Sequence, residues 1–135
     1  RAATELARIG FTNVLGVVRG VAAWLATGHP VSSFTTASHS DLANALTTAD
    51  HDIQILDVRD PQEWERAHIS GAIHRYVPDI RSGLPDGLDP THPVWVVCQS
   101  GNRASIAAGL LERLDVEPIV VTRGGVSQVL ASTGA

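Results

Sequence analysis

The sequence predicts an α/β domain in which a central parallel sheet of about five strands carries helices on both faces. Three observations predict it. Short β-branched runs alternate with segments of helical periodicity along most of the chain. One of those runs, "VWVVC" (Val94–Cys98), passes through a brief polar turn straight into a helical pattern. The 135 residues, 44% of them hydrophobic, suffice for one domain to bury a core and fall short of two ordinary ones.

The elements follow in chain order. In "FTTASHSDLANALTTAD", Ser38 precedes Asp41 by three residues, the spacing of a capping box. Leu42 and Leu46 then share one face of a helix of about two to three turns. "HDIQILDVRD" places Ile53, Ile55, Leu56 and Val58 in a buried strand whose carboxyl end meets the charged residues Asp57, Arg59 and Asp60. "DPQEWERAH" has Asp60 at an N-cap, Pro61 at the first helical position and Glu63 at the third, predicting a short helix that carries Trp64. "VPDIRSGLPDGLDPTHP" is rich in Pro, Gly and Asp and reads as a surface loop. After the strand "VWVVC", the residues Ile106, Leu110 and Leu114 recur every four positions, with Ala107 and Leu111 beside them, as the stripe of a helix packed on the sheet. "PIVV" is a further strand and "GGVSQVLAS" the closing helix.

One repeat divides the chain. Displaced by 105 residues, "LARIGFTNVLGVVRGVAAWLA" from Leu6 overlies "LERLDVEPIVVTRGGVSQVLA" from Leu111 without a gap. Leu6/Leu111, Arg8/Arg113, Gly20/Gly125, Val21/Val126, Leu25/Leu130 and Ala26/Ala131 are identical. The repeat predicts that residues 1–32 are the tail of a preceding module of the same kind, a strand and a helix plus the linker "GHPVSSF", and that residues 33–135 form a domain of their own.

The only cysteine, Cys98, lies at the carboxyl end of its strand, where open α/β sheets bind their ligands. The turn Gln99, Ser100, Gly101 and Asn102 leads into a helix, so backbone N–H groups and the helix N-terminus point at the sulfur. Gly101 lets the turn tighten, and Arg103 adds a positive charge at its rim. Such surroundings favour the thiolate, the form that attacks. Cys98 is therefore the candidate nucleophile, and Gln99, Ser100, Gly101, Asn102 and Arg103 are candidate substrate-binding residues.

These motifs resemble those of the rhodanese family. The likeness rests on "ILDVRDPQEWERAHISGAIH", on "CQSGNR" followed by "AS", and on the closing "TRGGV". It implies a single rhodanese-like domain from about Ser33 to Ala135, acting as a sulfurtransferase. In that chemistry Cys98 accepts sulfane sulfur from a small-molecule donor, thiosulfate or glutathione persulfide, and passes it to a thiol acceptor. By position, Asp57, Arg59 and Glu63 correspond to the family's structural charged cluster, and His68 to a packing and hydrogen-bonding histidine. Ala67 and Ser70 replace the usual Gly and Pro, and Gln99 stands where an Arg is frequent, which implies a weaker hold on a dianion such as thiosulfate. The N-terminal repeat is similar to the tail of a second rhodanese module. That arrangement resembles persulfide dioxygenases, implying a fused metallo-β-lactamase-fold domain that holds iron outside this chain.

Two other function classes stand beside this one. Phosphatases and arsenate reductases of the fold carry five residues between Cys and Arg, whereas four separate Cys98 from Arg103. A non-catalytic regulatory or scaffolding module usually loses the cysteine. The net charge of −4 and dispersed basic residues exclude the electrostatic footprint of a nucleic-acid or anionic-membrane binder. The one Cys rules out an internal disulfide and fits a cytoplasmic setting. No cofactor is implied, and scattered histidines argue against a metal. His29, His39, His51, His74 and His92 read as solvated loop or helix-end residues. An edge strand without its own sheet leaves a homodimer among the expectations.

Overall fold

Three apolar runs build the centre of the sheet because their β-branched and aliphatic side chains suit a surface buried on both sides. They are Gln54–Asp57 (β2), Val94–Val97 (β4) and Pro118–Arg123 (β5). The computed structural model describes residues 2–8, 10, 12–48 and 53–134; His51 lies outside them. Two compact units appear, residues 1–33 and 34–135.

In the larger unit, Thr35–Ser38 (β1) and Ile73–His74 (β3) complete a five-stranded sheet of order β1-β5-β4-β2-β3, with every pairing parallel. Gln54 stands opposite Val94 and Asp57 opposite Val97, while Val94 stands opposite Pro118 and Val96 opposite Val120. This register brings the carboxyl ends of β2 and β4 side by side, at Asp57 and Val97.

Alternation along the strands fills two cores. Leu56, Val94, Val96 and Val120 pack with Ala104, Ala107, Ala108 and Leu111 of Asn102–Glu112 (α5) and with Ile80. Ile55, Val97 and Val121 pack on the opposite face with Leu42 of His39–Thr48 (α3) and with Val126 and Val129 of Val126–Thr133 (α6). Each fully buried Val, Leu or Ile stabilises the fold by about 1.5–3 kcal/mol.

The helix starts are chemical. Asp41 N–H donates to Ser38 Oγ at 3.1 Å and Ser38 N–H to Asp41 Oδ2 at 2.7 Å, closing the capping box at α3. Asp60 Oδ1 accepts from Glu63 N at 3.0 Å, with Pro61 first in Pro61–Arg66 (α4).

Four expectations change. The buried stripe of α5 is Ala104, Ala107, Ala108 and Leu111, whereas Ile106 is 61% exposed; small alanines let the helix lie close to the sheet and turn the larger side chains outward. The stretch read as a surface loop contains a 3₁₀-helix, Val77–Ser82, that buries Ile80 completely. His74 is half-buried in β3 rather than solvated.

The fourth concerns the smaller unit. It contains the helices Ala2–Arg8 (α1) and Gly20–Ala26 (α2), and residues 12–19 form no strand, since a strand exists only where a neighbour takes up its N–H and C=O groups. After α2, Trp24 Nε1 donates to Pro30 O at 3.1 Å and its ring packs 4.2 Å from that of His29.

Candidate functional site

Cys98 follows β4 directly and is fully buried. Gly101 N–H donates to its Sγ at 3.0 Å. Gly101 has φ +91°, and a Cβ there would sit 2.8 Å from Thr122 Cα, so only glycine lets the loop both turn back on the sulfur and rest on the end of β5. Gly101 is the N-cap of α5, and no side chain caps the helix there. Ser100 and Asn102 are exposed and Gln99 is half-buried.

The loop is also gripped from the far end of the chain. Val126 N–H donates to Cys98 O at 3.0 Å. Gly125 lies so close beneath that any Cβ would collide with Cys98 O and Gln99 O. Gln99 Nε2 donates to Ser127 Oγ at 2.9 Å, and the Ser127 hydroxyl donates to Gln99 Oε1 at 3.1 Å. Gly125, Val126 and Ser127 are site residues that sequence reasoning did not assign. Their signal was the Gly-Gly pair ahead of the last helix, a sign of close backbone approach.

Arg103 does not reach across the rim as a free charge. Its Nη1 donates to Glu63 Oε2 and its Nη2 to Glu63 Oε1 at 2.9 Å, with Asp60 Oδ2 3.7 Å from Nη1. This bidentate pair ties the start of α5 to α4, and the Arg103 guanidinium holds the Glu63 carboxyl down to about 2. Glu63 in turn raises Arg103 further above its ordinary range.

Below this pair lies a second one. Arg59 Nε donates to Asp57 Oδ1 at 2.9 Å and Arg59 Nη2 to Asp57 Oδ2 at 2.6 Å, both side chains being buried. Arg59 Nη2 also donates to Ala67 O at 2.7 Å, so the pair fixes the path after α4. Trp64 stacks against His68, ring centroids 3.8 Å apart, and against His74 at 4.8 Å. His68 Nδ1 lies 3.0 Å from Trp64 O and His74 Nε2 2.8 Å from Arg59 O. The structure thus joins Asp57, Arg59, Glu63 and His68 into a scaffold around α4, connected to the Cys98 loop through Arg103. Among the described residues, no group of three or more His, Cys, Asp or Glu is placed to hold a metal ion, and no helix is long and apolar enough to cross a membrane.

A protein-family model described as the rhodanese-like domain matches residues 38–132. The chain belongs to the rhodanese-like family. Its similarity extends to thiosulfate sulfurtransferase GlpE of Tolumonas auensis, 28% identical over 95 residues, which are 70% of this chain and 87% of that protein. YrkF of Bacillus subtilis is 28% identical over 72 residues, 53% of this chain. The match spans only 38% of YrkF. Among solved structures, the rhodanese-like domain protein of Staphylococcus aureus superposes with a TM-score of 0.62 at 23% identity, covering 75% of this chain and 92% of that one. The single-domain sulfurtransferase RDL2 of Saccharomyces cerevisiae also gives 0.62, at 19% identity and 78% and 96% coverage. At these identities the structural likeness speaks for the rhodanese-like fold.

Proposed function

We propose that this domain is a sulfurtransferase in which Cys98 carries sulfane sulfur as a persulfide. The observation that carries the reading is the Gly101 N–H donated to Cys98 Sγ at the uncapped start of α5, in a chain of the rhodanese-like family. An amide aimed at sulfur stabilises negative charge on it and on the terminal sulfur of a persulfide. In the first step the Cys98 thiolate attacks the outer sulfur of a donor R–S–SH. The new S–S bond forms as the donor's bond breaks, its electron pair leaves on R–S⁻, and Cys98–S–SH results. In the second step an acceptor thiolate takes the outer sulfur by the same displacement, returning the Cys98 thiolate with no net oxidation.

Gln99, Ser100, Gly101 and Asn102 shape the cradle for the transferred sulfur, Arg103 holds the start of α5 through Glu63, and Asp57, Arg59 and His68 support the scaffold. Small thiol persulfides and thiols are the donor and acceptor, the cytoplasm is the setting, and residues 1–32 are the tail of a preceding module.

Cys98→Ser tests the reaction. A serine oxygen fits the same space, but its alkoxide is a poor leaving group at neutral pH, so transfer is abolished while the fold persists. Mass spectrometry after exposure to glutathione persulfide or thiosulfate shows one added sulfur on Cys98 of the parent. A folded Cys98→Ser protein that still transfers sulfur refutes the assignment. A parent that gains no sulfur from either donor favours the regulatory-module reading.

A further inference from the structure

Cys98 has no exposed surface, so a reagent reaches its sulfur only when its surroundings move, among them the loop that donates the Gly101 N–H to Sγ. The residue that follows, Gln99, exchanges two hydrogen bonds with Ser127 on the first turn of α6, at 2.9 and 3.1 Å. Among the described residues these two are the only side-chain hydrogen bonds joining residues 99–101 to α6. Ser127 has no duty in starting its helix, because the Gly125 N–H is taken by Gln128 Oε1 at 3.0 Å. Its hydroxyl is exposed and spent on Gln99.

We propose that Ser127 is a positioning residue that latches the loop through Gln99 and thereby sets how fast reagents reach Cys98. The inference rests on the reading of Cys98 as the reacting atom. Both partners are uncharged, Ser127 exposed and Gln99 half-buried, so water replaces their hydrogen bonds as the loop lifts. A latch of that kind is weak enough to open repeatedly during turnover. The net worth of a neutral hydrogen bond corresponds to an opening about 2- to 10-fold more frequent once it is lost. The backbone bond from Val126 N–H to Cys98 O survives the loss of either side chain, so the loop keeps its seat between openings.

The test is the rate at which iodoacetamide alkylates Cys98 in the full chain, followed by mass spectrometry. Ser127→Ala and Gln99→Ala each raise it about 2- to 10-fold. The double variant goes no faster than either single one, and Ser127→Thr, which restores the hydroxyl, returns to the parent rate. Thermal midpoints stay together across the set. Unchanged or slower alkylation in Ser127→Ala overturns the latch, and so do additive effects of the two substitutions. The same proteins are treated with glutathione persulfide. Faster alkylation with no sulfur gained by any variant leaves the latch standing and removes the sulfur-transfer reading. Sulfur gained by the parent with alkylation rates unmoved does the reverse.

Discussion

Glu63→Gln removes the charge that faces Arg103 while keeping the shape of the side chain. Its carboxyl lies at about 2 against an ordinary 4.5, chiefly because it accepts the Arg103 guanidinium. At about 1.4 kcal/mol per unit this sets an upper bound of about 3 kcal/mol on the pair. Glu63 keeps 26% and Arg103 31% of its side-chain surface in water, and screening brings the expected loss to about 1–2 kcal/mol. A group with a depressed folded-state value contributes its full share above its unfolded value and loses it as pH falls through the folded one. The gap between parent and variant is therefore complete at neutral pH, closes from 4.5 downward and vanishes near 2. Urea unfolding of both proteins from neutral pH into that range measures it. A gap that stays constant with pH, or is absent at neutral pH, refutes the account of Arg103 as a scaffold cation held by Glu63.

Three further outcomes are expected. Gly125→Ala forces a Cβ against Cys98 O and Gln99 O, costing about 1–3 kcal/mol in chemical denaturation and displacing the loop, so persulfide formation on Cys98 falls with it. Glutathione persulfide is a better donor than thiosulfate by kcat/KM, because Gln99 is neutral and its amide is engaged by Ser127, and the Arg75 guanidinium is turned to Asp79 O at 3.0 Å; a clear preference for thiosulfate counts against this. Deleting residues 1–30 leaves persulfide formation on Cys98 intact, and a truncated domain that stays folded yet loses transfer shows that the segment belongs to the site.

What the sequence disclosed and what it concealed divide along the range of the interactions involved. The cap at Asp60, the box at Ser38 and Asp41, and the runs at β2, β4 and β5 are set by neighbours a few residues apart, and all are visible in the chain itself. β1 escaped notice because Thr35 and Thr36 are exposed at a sheet edge and carry no apolar alternation. β3 is two residues long, too short to show a period. At the site, the position of Cys98 between strand and helix was legible. The partner of Arg103 stands 40 residues away and that of Gln99 stands 28 away, and no periodicity encodes either pairing. Arg103 therefore read as a free charge, although the fold gives it to Glu63.

The seat of Cys98 is completed by Gly125, Val126 and Ser127, at the start of α6. During synthesis, a nascent chain that has already exposed its thiol to the cell still lacks the amide that binds Cys98 O and the hydroxyl that holds Gln99. The loop around Cys98 is thus complete only after translation has passed Ser127. Any truncation product ending before that point carries Cys98 in a loop without those two holds, so loss of the closing helix leaves the thiol less enclosed than the folded domain does.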